Sequence, residues 1–173
     1  MGGLGDATPR RLFLLRHAHP AATPAVGWAD TDRPLTRHGR RQAGELGGVL
    51  GSAGIELVLC STALRTRETA EYLGLRAPVR HVAGLYNCEA GRIAFELARL
   101  PEYLRAVLVV GHSPGIPTLA RDLADHTSDR AAALQLERQY PPATLAELHF
   151  RGLWSDLHQA RLVRVLRPAV VLE

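Results

Sequence analysis

The residues best suited to chemistry follow three separate apolar runs. Arg16 and His17 come directly after one run, Arg65 follows a second by a few residues, and His112 follows a third. The runs are Arg11-Leu12-Phe13-Leu14-Leu15, Leu57-Val58-Leu59-Cys60 and Val107-Leu108-Val109-Val110. Short apolar runs predict buried strands, and open α/β sheets bind ligands beyond the carboxyl ends of their strands. We therefore expect these side chains at one edge of a sheet, although each taken alone also fits a polar surface residue.

Their chemistry fits the transfer of a phosphoryl group. Arg65 is expected in the first turn of a helix, where a cation faces the positive end of the helix dipole and is unfavourable unless an anion binds there. Helix N-termini bind phosphate through free N–H groups, and arginine adds planar, bidentate donors. Arg16, Arg65 and His112 would clamp the phosphoryl oxygens while His17, kept neutral by the surrounding positive charge, attacks phosphorus. Water would then hydrolyse the phosphohistidine, and neither a metal nor another cofactor is required.

The composition narrows the possible classes of function. All 21 residues counted as lysine or arginine are arginines, which excludes mechanisms that depend on a phosphate-loop lysine or a Schiff-base lysine. The net charge of +4 favours anionic partners, but the arginines are scattered along the chain, so we expect no nucleic-acid partner. No apolar run is long enough to cross a membrane, and the N-terminus lacks the features of a secretory signal. The only cysteines are Cys60 and Cys88, so the sequence predicts a cytoplasmic protein without a disulfide framework.

The pattern of elements indicates one α/β domain, a size that suits 173 residues. Three further strands are predicted at 79–82, 144–150 and 160–166. The first helix begins after Thr36, a plausible N-cap, and its buried face is predicted to carry Ala43, Leu46, Val49 and Leu50. Later helices are predicted from Ser61, a cap candidate, to Gly74, around Ile93, Leu97 and Leu100, and from near Pro117 to Leu123. Residues 125–142 give no secure assignment.

Several segments, in the same order along the chain, resemble the histidine phosphatase superfamily. Leu14-Leu15-Arg16-His17-Ala18 is similar to the Arg-His-Gly or Arg-His-Ala signature after the first strand of that family. A closer resemblance to the short SixA-like phosphohistidine phosphatases is carried by Asp30-Thr31-Asp32-Arg33-Pro34-Leu35-Thr36, with Gly39 following. Cys60 through Ala70 is similar to the family's Ser-x-x-x-Arg-x-x-x-Thr segment. Its second-histidine motif is matched by Val110-Gly111-His112-Ser113-Pro114-Gly115. Leu85-Tyr86-Asn87 is similar to a short loop of the family, and residues 145–150 with Trp154 are similar to its closing strands.

The resemblance implies a phosphoglycerate mutase-like fold. It implies a single three-layer α/β/α domain with a mostly parallel central sheet over residues 11–168, with terminal extensions at 1–10 and 169–173. It also implies His17 as the nucleophile, Arg16 and Arg65 as phosphate ligands, His112 as the second histidine of the phosphate pocket, and no metal. Two departures bear on substrate contacts: Ser113 stands where asparagine is common, and Tyr140-Pro141-Pro142-Ala143-Thr144 replaces a Pro-Thr-Ser or Pro-Thr-Ala run.

The proton donor is the least defined role. Larger relatives use an acidic residue in the loop after the third strand, where Glu89 lies here, whereas SixA-like members often lack it. The alternative is an ordinary surface carboxylate, since a phosphoramidate leaving group needs less help from an acid than an alkoxide does. Asp30 and Arg33 are expected to fix the loop ahead of the first helix.

Other functions stay open at this point. His17-Ala18-His19 also resembles the paired histidines of metal-dependent amidohydrolases, but their (β/α)₈ barrel needs about 250 residues. A phospho-binding module without turnover, a phosphoglycerate mutase and a small-molecule phosphomonoesterase of the same superfamily are further alternatives. The partner is a phosphorylated protein or small molecule, whose identity the sequence leaves open.

Overall fold

A mixed six-stranded sheet forms the centre of the computed structural model, which describes residues 7–23 and 27–168. The strands are β1 (Pro9–Arg16), β2 (Leu57–Ser61), β3 (Val79–Val82), β4 (Ala106–Gly111), β5 (Leu145–Arg151) and β6 (Arg161–Leu166). Their order is β3-β2-β4-β1-β5-β6. The first four in this order are parallel, and β5 and β6 are antiparallel to their neighbours. The expected mostly parallel α/β sheet is therefore confirmed.

Helices cover both faces of the sheet. They are α1 (Arg37–Leu50), α2 (Leu64–Leu73), α3 (Ala90–Ala98), α4 (Gly115–Leu123) and α5 (Arg130–Arg138). Successive side chains of a strand point to opposite faces, so Phe13 and Leu15 of β1 belong to the core under α1 and α2, whereas Leu12 and Leu14 belong to the core under α3, α4 and α5. This arrangement is the three-layer architecture that the family resemblance implies. Within the described residues, no helix has the length and apolarity needed to span a membrane.

Most predicted elements are found, with differences at their ends. The Thr36 hydroxyl caps α1 by accepting a hydrogen bond from Gly39 N at 3.0 Å, and Gly74 ends α2 in the left-handed conformation. The placement of Val49 on the buried face is wrong, because this side chain is 43% exposed; it lies about 100° around the helix from Leu50. Leu100 lies just beyond α3 and still packs in the core.

The start of the first strand also differs from the prediction, and a helix lies in the segment without an assignment. Strand β1 begins at Pro9, two residues before the expected Arg11, and Arg10 is buried. The segment 125–142 contains α5, whose N-cap Asp129 accepts a hydrogen bond from Ala132 N at 2.8 Å. Of the expected terminal extensions, residues 1–6 and 169–173 lie outside the described residues.

Helices α1 and α2 approach each other closely at Gly47. A Cβ atom built on Gly47 would stand 2.1 Å from the carbonyl oxygen of Leu73, which is far inside van der Waals contact. Gly48, the next residue of α1, has open space around the same position. The close contact at Gly47 fixes the distance between the helices that follow β1 and β2.

Candidate active site

The carboxyl ends of β1, β2 and β4 meet at one edge of the sheet. Val110 of β4 is the register partner of both Leu15 and Cys60, so the residues that follow these strands are neighbours. The backbone N–H of His17 donates to the Gly111 carbonyl at 3.0 Å. As a result, the rings of His17 and His112 have centroids 5.3 Å apart. The structure thus brings together histidines that are far apart in the sequence.

His17 is buried and has a defined orientation. Its Nδ1 lies 2.8 Å from the Ala18 carbonyl oxygen; because a carbonyl only accepts, Nδ1 carries the proton and Nε2 keeps its lone pair. The N–H of Ala18 is in turn held by the Thr69 hydroxyl at 3.0 Å. Burial lowers the pKa of His17 to about 4, with smaller contributions from Arg65 and Arg16. The imidazole is therefore neutral near pH 7.

His112 is held by Ser61. Its Nε2 lies 2.8 Å from the Ser61 hydroxyl, and its Nδ1 is buried without a hydrogen-bond partner among the described residues. Burial, followed by the nearby His17, lowers the pKa of His112 to about 3. The prediction that Ser61 caps α2 is wrong: the N-cap is Ala63, without a side-chain bond, and Ser61 is fully buried at the end of β2.

Two guanidinium groups complete the cationic part of the site. Arg65 is 3% exposed and donates from Nη1 to the Asp30 carbonyl at 2.8 Å and from Nη2 to its carboxylate at 3.0 Å. Arg16 donates from Nη1 to the Tyr140 carbonyl at 2.9 Å, and its Nε is buried without a partner among the described residues. Burial and the charge of Arg65 lower the pKa of Arg16. The two cations lie close enough to repel, so an anion between them is favoured.

Asp30 has a larger role than the expected one. It does hold its own loop, since its carboxylate accepts from Arg33 at 3.1 Å. It also accepts from Arg65 and, at 2.5 Å, from the hydroxyl of Tyr86. The Tyr86 hydrogen bond is the largest cause that lowers the pKa of Asp30 to about 2. Sequence reasoning does not identify Tyr86 as a site residue. The sequence feature that points to it is its position in Leu85-Tyr86-Asn87, which resembles a loop of the family.

Several other predicted residues differ from this group in exposure and in their hydrogen bonds. Glu89 is exposed at the N-cap of α3, and its side chain forms no capping hydrogen bond. Cys60 is buried in the core, and burial raises its pKa to about 12; Cys88 is half-buried. His19 is exposed and contacts the Thr36 hydroxyl at 2.9 Å. No group of three metal-ligating side chains occurs in the described part of the chain.

A recess of about 460 Å³ adjoins Arg16. It is bounded by Ser113 and Pro114 on one side and by Tyr140, Pro141 and Pro142 on the other, so both sequence departures noted above line it. A larger recess of about 840 Å³ lies among Arg11, Arg105 and Arg161 at the opposite edge of the sheet and contains none of the candidate residues. Of these two recesses, the smaller one adjoins a candidate site residue.

Comparisons with known proteins agree with the fold and with the family resemblance. The model of the histidine phosphatase superfamily (branch 1) matches residues 12–99. An uncharacterized protein of Mycobacterium tuberculosis is 37% identical over 146 residues, which are 83% of this chain and 91% of that protein. A structure assigned as the phosphohistidine phosphatase SixA of Nakamurella multipartitia matches with a TM-score of 0.85 at 36% identity, over 95% of this chain and 99% of that chain. A second such structure, from Agrobacterium tumefaciens, has a TM-score of 0.77 at 26% identity, over 93% and 100%.

The chain therefore belongs to the histidine phosphatase superfamily, in its SixA-like branch. It is a phosphatase, as the sequence predicts.

Proposed function

We propose that the protein is a metal-independent phosphohistidine phosphatase that carries the phosphoryl group on Nε2 of His17. One observation carries this proposal: His17 is buried and neutral, and its Nδ1 is bonded to the Ala18 carbonyl. Only Nε2 is left as a nucleophile. A neutral imidazole with one free lone pair at pH 7 is the form that can attack phosphorus.

The surrounding donors suit the charge that develops on the phosphoryl oxygens. Arg65 is a buried cation and Arg16 a half-buried one, and both contribute to the lowered pKa of His17. If the Ser61 hydroxyl donates to Nε2 of His112, then Nδ1 of His112 carries a proton and becomes a third donor. Donors fixed in a water-poor pocket stabilise a transition state more than the same groups in water.

The reaction then takes two steps. Nε2 of His17 attacks phosphorus in line while the bond from phosphorus to the substrate's imidazole nitrogen breaks. The substrate's histidine leaves, and water then attacks the phosphohistidine at residue 17, which releases inorganic phosphate and restores His17. The chain's own residues supply the nucleophile and the phosphate ligands.

The position of Glu89 bears on the class of substrate. Its side chain is exposed and forms no capping hydrogen bond that would fix its position. An alkoxide leaving group needs a positioned acid, whereas an imidazole needs much less help. This favours a phosphohistidine over an alkyl phosphate and leaves Glu89 as the candidate donor only for esters.

A small-molecule phosphomonoesterase is the second candidate function. The recess beside Arg16, at about 460 Å³, falls within the range of small-ligand pockets. Ranking a phosphohistidine protein, p-nitrophenyl phosphate and an alkyl phosphate by kcat/KM separates the two functions. We expect the phosphohistidine protein to rank first; a higher kcat/KM for the alkyl phosphate would favour the monoesterase.

The variant His17→Ala tests the proposed mechanism. We expect phosphate release from the phosphohistidine protein to fall on the order of 10⁴-fold or more, because the nucleophile is lost. The thermal unfolding temperature should stay close to that of the wild type. The exposed His126 provides the control, and His126→Ala should retain full activity. Turnover by His17→Ala near the wild-type rate would contradict the mechanism.

A further inference from the structure

Tyr86 contacts both groups that flank His17. Its ring meets the His112 ring edge-on, with centroids 5.4 Å apart and planes at 87°. The guanidinium carbon of Arg65 lies 5.8 Å from the centre of the same ring, within range of a cation–π contact. The Tyr86 hydroxyl donates to the Asp30 carboxylate at 2.5 Å. Tyr86 therefore touches two candidate phosphate ligands and the carboxylate that holds one of them.

Asp30 fixes Arg65 through two points. The Asp30 carbonyl and carboxylate accept from different nitrogens of the same guanidinium, at 2.8 and 3.0 Å. Two contacts in one plane define the direction of a planar group, whereas one contact would allow it to rotate. The carboxylate itself is 41% exposed and lies on a short 3₁₀ turn, Asp30–Asp32. It needs further contacts to stay in place, and Tyr86 supplies one from a different segment.

We infer that Tyr86 and Asp30 form a positioning pair, which sets Arg65 and His112 in the geometry for the phosphoryl group before substrate binds. This inference rests on the proposed function. Tyr86 acts through other residues: its hydroxyl fixes the carboxylate, and its ring supports the imidazole of His112 and the guanidinium of Arg65. Among the described residues, a further charged neighbour of Asp30 is Arg33 on its own loop, at 3.1 Å. Without Tyr86, the only restraint on the carboxylate within the described part of the chain, apart from Arg65, would be Arg33, which contacts one of its two oxygens.

The role of the hydroxyl can be separated from that of the ring. Tyr86→Phe keeps both ring contacts and removes only the hydrogen bond to Asp30, so it should fold. We expect kcat on the phosphohistidine protein to fall about tenfold, in the range for a lost hydrogen bond to a charged group, while KM changes less. Tungstate, an oxyanion of phosphate-like shape, should bind about tenfold more weakly by calorimetry, for the same reason. Tyr103, which is 73% exposed, is the control, and Tyr103→Phe should match the wild type.

A double-mutant cycle tests whether the two residues act together. Residues in one hydrogen-bonded network have non-additive effects. We therefore expect Asp30→Asn and the double variant Asp30→Asn/Tyr86→Phe to lose similar amounts of kcat and of tungstate affinity. Wild-type kcat and wild-type tungstate affinity in Tyr86→Phe, or fully additive losses in the cycle, would overturn the inference. Failure of the wild type to hydrolyse phosphohistidine would overturn the proposed function instead, and tungstate binding would still test the pair.

Discussion

Nε2 of His112 lies 2.8 Å from the hydroxyl of Ser61, although the two residues lie at the ends of different strands. Ser61 ends β2 and His112 comes directly after β4, and the parallel pairing of these strands makes the contact. The hydroxyl can fix which nitrogen of His112 carries its proton. Ser61 therefore contacts a candidate site residue, although the sequence predicts it only as a helix cap.

Replacement of Ser61 by alanine should weaken the site without unfolding the protein. Without the hydroxyl, His112 loses its partner at Nε2 and its Nδ1 no longer carries the proton consistently, so we expect kcat/KM to fall about tenfold. Steady-state kinetics on the phosphohistidine protein provide the measurement. Ser52→Ala, at an exposed position in the turn after α1, is the control, and an equal loss in both variants would argue against the proposed role of Ser61.

Arg65→Ala should slow the chemical step itself. It removes a buried cation whose interaction with the phosphoryl oxygens strengthens towards the transition state, and we expect the barrier to rise by about 2 to 4 kcal/mol. The rate of phosphate release under saturating substrate measures this loss. Arg67 is exposed on the same helix, so Arg67→Ala is a matched control. A change in KM alone for Arg65→Ala would contradict this role.

Glu89→Gln should distinguish leaving groups. If Glu89 donates a proton to esters, turnover of an alkyl phosphate should fall about 10²-fold, while turnover of the phosphohistidine protein should change little. Parallel assays of both substrates measure the difference. Glu71→Gln, at an exposed position of α2, should affect neither. An unchanged rate on the alkyl phosphate would show that Glu89 is an ordinary surface carboxylate and not a proton donor.

Protein stability should fall as the solution becomes mildly acidic. Burial lowers the pKa of His17 to about 4 and that of His112 to about 3, from 6.5. The unfolded chain binds protons at these residues as the pH falls through 6.5, whereas the folded chain does not until about pH 4 or 3. Unfolding is therefore favoured by roughly 2 kcal/mol for each histidine by pH 5.

Urea denaturation at pH 7.5, 6.5 and 5 measures this dependence. Above pH 5 the carboxylate of Asp30, with a pKa of about 2, stays ionised and does not contribute. The variant His17→Gln/His112→Gln should lose most of the dependence on pH. A wild-type free energy of unfolding that is constant from pH 7.5 to 5 would show that these histidines are not buried in the neutral form.

Gly47→Ala should destabilise the fold, and Gly48→Ala should not. The new methyl group at Gly47 would collide with the Leu73 carbonyl, and overpacking of this kind costs about 1 to 3 kcal/mol. At Gly48 the methyl group meets open space, so the higher helix propensity of alanine should stabilise α1 by about 0.5 to 1 kcal/mol. Urea unfolding of both variants compares them directly, and equal effects would contradict the close approach of α1 and α2.

The strands and the central residues of the site could be predicted because their signals are local. An apolar run followed by a histidine or an arginine places that side chain at the edge of the sheet, which is enough for His17 and His112. The contacts of Asp30, Ser61 and Tyr86 depend on which loops meet in space, and local periodicity carries no such information.

Helix α5 is a second feature that could not be predicted from the sequence. It has only Ala132 and Leu136 as buried positions, so its helical period is weak. Its N-cap Asp129 has the residue type that favours a cap, but a single residue before a short, mostly polar segment does not identify a helix. The helix is instead fixed by its packing against β6 and α4.

The position of β1 has a consequence for the way the protein is made. Of the six strands, β1 leaves the ribosome before the others, yet in the sheet it lies between β4 and β5. His17 and Arg16 gain their last backbone and side-chain partners from Ala143 and Tyr140, near the start of β5. Because such distant contacts form late, we expect the nascent chain to remain inactive until β5 has emerged from the ribosome, with no premature hydrolysis during translation.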